Sequence, residues 1–68
     1  MANSITIAVD AMGGDHAPGM AIEGIAQART LFPDTKFMVF GDKALILPLL
    51  DQYPDLKSAS EIVHTDDV

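Results

Sequence analysis

The fold of this chain is decided by the stretch Ile7-Ala8-Val9-Asp10-Ala11-Met12-Gly13-Gly14-Asp15-His16-Ala17-Pro18. In it, a short apolar run leads into two glycines, two carboxylates and a histidine. Pro18 then opens a helical pattern at the first helical position, where the missing N–H removes no hydrogen bond. This arrangement is typical of the first strand-to-helix turn of an open α/β sheet, where phosphate-type ligands are commonly held.

Hydrophobic periodicity predicts the elements on either side of this turn. Residues 4–10 are rich in β-branched side chains and predict a strand that is buried on both faces. The following helix is predicted to begin at Pro18 and to end at Pro33. Its apolar positions recur at helical spacing and predict one buried stripe, which consists of Ala21, Ile22, Ile25, Ala28 and Phe32.

The second half of the chain repeats the pattern. Residues 36–40 predict a strand closed by Gly41, and Asp42 suits the N-cap of the next helix. Because Pro48 would remove an interior hydrogen bond, we expect a short turn and then a helix that begins near Leu47, in preference to one helix kinked at Pro48. The segment 53–55 ends it, residues 56–60 predict a loop, and residues 61–65 predict a third strand.

The predicted order is β-α-β-α-β, which indicates an α/β fold with a parallel sheet and right-handed crossovers. A parallel sheet is normally covered by helices on both faces, and two helices do not cover both. We therefore expect residues 1–68 to be the N-terminal part of a larger single α/β domain.

Composition narrows the class of protein. The chain has 68 residues, of which 49% are hydrophobic, so a disordered segment is excluded. It contains no cysteine and therefore neither a disulfide nor a thiolate metal site. Its net charge of −6 argues against nucleic acid, anionic lipid and acidic proteins as partners of this segment. No signal peptide is apparent, and no apolar run approaches the roughly 20 residues that span a bilayer, which favours a soluble segment.

The residues that could bind a ligand or take part in catalysis lie at one predicted edge of the sheet. In a parallel sheet the carboxyl ends of the strands share an edge, and ligands bind there. The residues expected on or near this edge are Asp10, Gly13, Gly14, Asp15, His16, Gly41, Asp42, His64, Asp66 and Asp67.

The glycine turn has two interpretations. Gly13 and Gly14 let a ligand approach the main chain, and the helix start offers N–H groups to an anion; alternatively the turn needs glycine only for its shape. Asp10 either contacts the ligand or accepts hydrogen bonds from the turn, and Asp15 either takes part in the site or orients the helix start. His16 either donates to a phosphate or oxyanion and moves a proton, or braces the turn.

The sequence gives weaker evidence for a function of His64 and of the pair Asp66 and Asp67 at this edge. His64 ends the third strand without a motif of its own, which favours a structural role. Asp66 and Asp67 are typical of solvated loop acids and can otherwise meet a cation.

Three blocks resemble one enzyme family. They are residues 7–18, residues 37–42 and residues 62–68, and together they are similar to the bacterial phosphate acyltransferases of phospholipid synthesis. The resemblance implies an acyltransferase that converts acyl-acyl-carrier protein and inorganic phosphate into acyl phosphate and free acyl carrier protein. It also implies a three-layer α/β/α sandwich similar to isopropylmalate dehydrogenases and phosphotransacetylases.

The same resemblance also implies the cofactor use, the oligomeric state and the location of the protein. It implies no redox cofactor, a homodimer, and a cytoplasmic protein peripherally associated with the membrane. The acyl phosphate would pass to a membrane glycerol-3-phosphate acyltransferase. This segment alone is expected to be inactive, because it lacks a basic patch for the carrier protein.

The chemistry assigns roles within the turn. Phosphate is a competent nucleophile, so the site mainly positions it and stabilises an oxyanion. We expect His16 and Asp15 to act as catalytic residues and Asp10, Gly13 and Gly14 to bind phosphate or substrate, without a metal.

Two other classes compete with this hypothesis. A Mg²⁺-dependent phosphoacceptor domain would gather the cation with Asp10, Asp42, Asp66 and Asp67. A dinucleotide-binding half-domain would use Asp42 on a ribose, although the glycine spacing does not fit its motif.

Overall fold

The chain is a three-stranded parallel sheet with helical connections. A computed structural model describes residues 5–14 and 17–65. The strand order is β1-β2-β3, and both strand pairs are parallel. The elements in chain order are β1 (Ile5–Asp10), α1 (Gly19–Leu31), β2 (Thr35–Gly41), α2 (Lys43–Leu50), α3 (Pro54–Ser58) and β3 (Ser60–His64). The predicted parallel sheet and the β-α-β-α-β alternation are confirmed.

The helices pack on one face of this sheet. Helices α1, α2 and α3 contact one another, as expected when two crossovers of the same hand move in the same direction along the sheet. Along β2, Thr35, Phe37 and Val39 are buried, whereas the alternating Lys36 is exposed and Met38 is half-buried. The described residues therefore form two layers, and the second helical layer of the expected sandwich stays a prediction.

Strand β1 does not have the burial that its sequence predicts. It was expected to be buried on both faces, but Ile5 is 60% exposed and Ile7 is 44% exposed. The reason is its position at an edge: β2 lies in the centre and has a neighbour on each side, and β1 pairs only with β2 among the described strands. The expectation is wrong for these residues because an apolar strand sequence does not specify which strand is central.

The core lies between β2 and the helices. Its buried members are Ala11, Ile22, Ile25, Phe37, Val39, Ile46, Leu50 and Leu56. Most of the predicted α1 stripe is confirmed, since Ile22 and Ile25 are buried and Ala21 and Ala28 pack against them. Phe32 is the exception: it is the residue after α1, where the helix has ended, and it is 63% exposed.

Helix α2 begins earlier than predicted and contains Pro48. Asp42 caps its start, because the Asp42 side chain accepts from Ala44 N at 2.9 Å. Ile46 and Leu50 lie one turn apart and are both buried, so they anchor one side of the helix. We attribute the early start to this cap and this burial, which offset the single hydrogen bond that Pro48 cannot donate.

A short helix replaces part of the predicted loop. Helix α3 begins at Pro54 and buries Leu56. Arg29 from the end of α1 contacts it: Arg29 Nε donates to Asp55 at 3.3 Å, and Arg29 Nη1 donates to the Thr35 carbonyl at 3.1 Å. This tertiary contact between distant residues has no local sequence signal.

None of the helices in the described part of the chain is long and apolar enough to cross a membrane.

Candidate functional site

The carboxyl ends of the three strands meet at one edge. The register pairs Asp10 with Phe40 and Gly41 with His64. Two further backbone hydrogen bonds continue the sheet at this edge, from Ala11 N to the Phe40 carbonyl at 2.9 Å and from Thr65 N to the Gly41 carbonyl at 3.0 Å. The glycine turn after β1 and the turn after β2 therefore emerge side by side, as the sequence predicts.

The turn after β1 is braced by its own carboxylate. Asp10 Oδ1 accepts a hydrogen bond from Met12 N at 3.1 Å. A Cβ on Gly13 would lie 3.2 Å from Asp10 Oδ2, so this close approach favours glycine. Gly14 has a φ of +108°, a backbone conformation that L side chains rarely adopt. The hydrogen bond is the one that the bracing interpretation of Asp10 predicts.

The start of α1 offers backbone donors at the end of this turn. Pro18 is the N-cap residue and makes no side-chain capping hydrogen bond, and the first turn contains no acidic residue. The first backbone bond runs from Ile22 N to the Pro18 carbonyl at 3.1 Å. The N–H groups of residues 19–21 precede it and have no acceptor within the helix, and the helix dipole makes this end partially positive. Such an end suits an anion.

Several predicted site residues lie outside the described residues. Asp15 and His16 follow Gly14 in the turn, and Asp66 and Asp67 follow Thr65. The catalytic roles of His16 and Asp15 and the cation-binding alternative for Asp66 and Asp67 stay predictions.

The turn after β2 is closed by side chains. Asp42 accepts from Ala44 N, and the ring of His64 on β3 accepts from Lys43 N through Nδ1 at 3.1 Å. His64 thus ties the start of α2 to the end of β3, in agreement with the structural role expected for it.

Both alternative functions assign Asp42 to a ligand, and its Oδ1 caps α2. With Asp66 and Asp67 outside the described residues, the two alternatives stay predictions. Within residues 5–14 and 17–65, no group of three or more His, Asp or Glu side chains is placed to hold a metal ion.

Met12 is a contact residue that the sequence did not reveal. Its side chain lies over Gly41, where a Cβ would come within 2.7 Å of Met12 Cγ. Gly41, the last residue of β2, is the signal that was available, but its partner lies in the turn after β1 and cannot be found from spacing.

A shallow cleft of about 340 Å³ lies at the opposite edge of the sheet. It is lined near the amino ends of the strands by residues that include Thr6, Lys36, Ser60 and Glu61. Lys36 and Glu61 oppose each other in charge, so the cleft has no consistent preference for an anion. We therefore assign the candidate site to the carboxyl edge.

The fold and this edge define a class of protein. A parallel α/β sheet with a glycine turn before a helix start is typical of α/β proteins that hold a phosphate-type ligand at the carboxyl ends of the strands. The sequence of residues 5–68 matches the model of a family described as fatty acid synthesis protein. The chain belongs to this family, which confirms the resemblance found in the sequence.

Three curated relatives are each named phosphate acyltransferase. Over 66 residues the chain is 52% identical to the phosphate acyltransferase of Azorhizobium caulinodans, a match that covers 97% of this chain and 19% of the relative. It is 48% identical to the phosphate acyltransferase of a Bradyrhizobium species over the same shares. It is 49% identical over 65 residues to that of Rhodospirillum rubrum, with 96% of this chain and 19% of the relative covered. The chain thus spans about a fifth of the length of these relatives.

Proposed function

We propose that this chain is part of a phosphate acyltransferase that transfers an acyl group from acyl-acyl-carrier protein to inorganic phosphate. The observation that carries the proposal is the 52% identity to a phosphate acyltransferase across 97% of the chain. The start of α1 after the glycine turn supports it, because a helix N-terminus with no capping side chain among the described residues suits a phosphate.

In the proposed reaction, phosphate attacks the thioester directly and no protein side chain forms a covalent intermediate. An oxygen of hydrogen phosphate forms a bond to the thioester carbonyl carbon, and the carbonyl oxygen becomes a tetrahedral oxyanion. The carbon–sulfur bond then breaks, and on balance the proton of hydrogen phosphate ends on the thiol of the carrier protein. Positioning of phosphate and stabilisation of the oxyanion are therefore the main tasks of the site.

Each residue of the first turn has a place in this proposal. Gly13 and Gly14 expose backbone N–H groups to the phosphate, and Asp15 and His16 continue the same wall of the site. His16 donates a hydrogen bond to the phosphate or to the oxyanion. For Asp10 the hydrogen bond from Met12 N supports a bracing role, and its direct contact with phosphate stays a prediction.

The rest of the protein supplies what this segment lacks. We propose that residues 1–68 are part of a larger single α/β domain with a second helical layer. The carrier-protein surface and the cationic groups for phosphate then lie outside this segment, whose net charge is −6. A homodimer, peripheral contact with the cytoplasmic membrane and transfer of the acyl phosphate to a glycerol-3-phosphate acyltransferase belong to the same proposal.

The test is phosphate-dependent formation of acyl phosphate by the full-length protein that contains this segment. Acyl-acyl-carrier protein and inorganic phosphate are supplied, and the product is trapped with hydroxylamine as the acyl hydroxamate. We expect product only when phosphate is present. Failure of the full-length protein to form acyl phosphate would contradict the proposed function.

His16→Ala tests the role of the turn in the same assay. Loss of one oxyanion or phosphate donor lowers turnover by about 100-fold in comparable sites. We expect a loss of this order, with the thermal midpoint unchanged. A His16→Ala enzyme with normal turnover and normal phosphate affinity would remove His16 from the site.

A further inference from the structure

The side chain of Met12 connects the two turns at the carboxyl edge. A Cβ on Gly41 would lie 2.7 Å from Met12 Cγ and 3.2 Å from Met12 Sδ. The same Cβ would lie 2.8 Å from Ile46 Cδ1 in α2. The absent side chain of Gly41 therefore leaves a notch with two walls, one formed by Met12 and the other by Ile46.

Met12 is also the last anchored residue before the glycines. Ala11 N donates to the Phe40 carbonyl, and Met12 N donates to Asp10 Oδ1. Gly13 and Gly14 have no side chains to hold them, so the direction of their N–H groups depends on the residues on either side. On the β1 side, that residue is Met12, seated in the notch.

We infer that Gly41 and Met12 are positioning residues for phosphate: the notch at Gly41 seats Met12 and thereby sets the backbone of the glycine turn. The inference rests on the proposed function. A side chain at Gly41 would displace Met12 rather than Ile46, because Ile46 is fully buried and Met12 is half-buried.

The test compares three variants of the full-length enzyme. Gly41→Ala fills the notch, Met12→Ala removes the seated side chain, and the double variant does both. We expect each single variant to raise the phosphate KM by about 10-fold, since displacements of about 1 Å in a reacting group cost up to 100-fold. Because both changes break the same contact, the double variant should be no worse than the single variants.

Gly24→Ala is the matched control. Gly24 lies in α1, and a Cβ there would meet nothing within 4 Å. The same glycine-to-alanine change is therefore expected to leave the phosphate KM unchanged.

A further double variant guards against misfolding. Gly41→Ala combined with Ile46→Val relieves the clash with Cδ1, because valine lacks that atom. Compared with Ile46→Val alone, this pair should lose little in thermal midpoint, while the phosphate KM stays high because Met12 is still displaced. A merely structural role for Gly41 predicts that both recover together.

Amide hydrogen exchange gives a readout that does not depend on activity. Exchange of a peptide covering residues 10–14 should be faster in Gly41→Ala and in Met12→Ala than in Gly24→Ala. Unchanged exchange in both variants overturns the inference, and so does faster exchange with an unchanged phosphate KM. Absence of acyl phosphate formation by the wild-type enzyme contradicts the proposed function instead, and the notch is then judged by exchange alone.

Discussion

The two strand-to-helix turns at the carboxyl edge look alike in sequence and use their backbone donors differently. In the turn between β2 and α2, the Asp42 side chain accepts from Ala44 N and the His64 ring accepts from Lys43 N. In the turn between β1 and α1, Asp10 accepts from Met12 N, and no side chain among the described residues caps the helix.

The difference teaches where an anion can bind. Asp42 directly precedes its helix and accepts a hydrogen bond from the helix start, whereas Asp10 is separated from α1 by the glycine turn. The second turn is therefore satisfied by the protein itself. In the first turn, no side chain in residues 5–14 and 17–65 caps α1, and two glycines, one with a φ of +108°, lie before the helix.

Gly14→Ala is the change expected to break the first turn most severely. A side chain at this φ is strained by about 1–3 kcal/mol, and the backbone relaxes by moving the donors. We expect kcat/KM for phosphate in the full-length enzyme to fall by about 100-fold. Steady-state rates at varied phosphate measure it, with Gly24→Ala as the control. An unchanged kcat/KM would show that the turn does not position phosphate.

Two substitutions of Asp10 distinguish a role in bracing the turn from direct contact with phosphate. Asp10→Asn keeps a carbonyl oxygen that can accept from Met12 N, whereas Asp10→Ala removes the acceptor. If Asp10 braces the turn, the alanine variant loses about 10-fold in kcat/KM for phosphate and the asparagine variant stays near the wild type. Equal effects of the two substitutions would instead assign the carboxylate charge to the substrate.

The second turn should affect stability and leave phosphate binding intact. Asp42→Ala removes a helix cap and His64→Ala removes the acceptor of Lys43 N, each with a loss of about 1 kcal/mol in the free energy of unfolding. His64→Asn keeps an acceptor near the position of Nδ1 and should retain stability. Denaturant unfolding and the phosphate KM are measured together, and a raised phosphate KM in Asp42→Ala would overturn the comparison.

The parts of the fold that the sequence predicts are those with local signals. The alternation of elements, the α1 helix and the shared edge follow from periodicity, proline and glycine positions and the parallel topology. The errors come from contacts between distant residues. Helix α2 contains Pro48 because Ile46 and Leu50 are buried in the core, and α3 forms where Leu56 is buried in the same core.

The candidate site divides in the same way. The turn itself was predictable because Gly13 and Gly14 follow an apolar strand and precede a helix. The partner of His64 and the seat of Met12 were not, because each depends on strand register, which spacing along the chain does not specify. The exposure of β1 likewise depends on its place in the sheet.

Binding of inorganic phosphate to the full-length protein, measured by calorimetry without acyl substrate, tests the central claim most directly. Gly14→Ala and Asp42→Ala are compared with the wild type. We predict that Gly14→Ala raises the Kd for phosphate by about 10-fold or more, while Asp42→Ala leaves the Kd unchanged. Weaker binding in Asp42→Ala together with normal binding in Gly14→Ala would contradict the assignment of phosphate to the first turn.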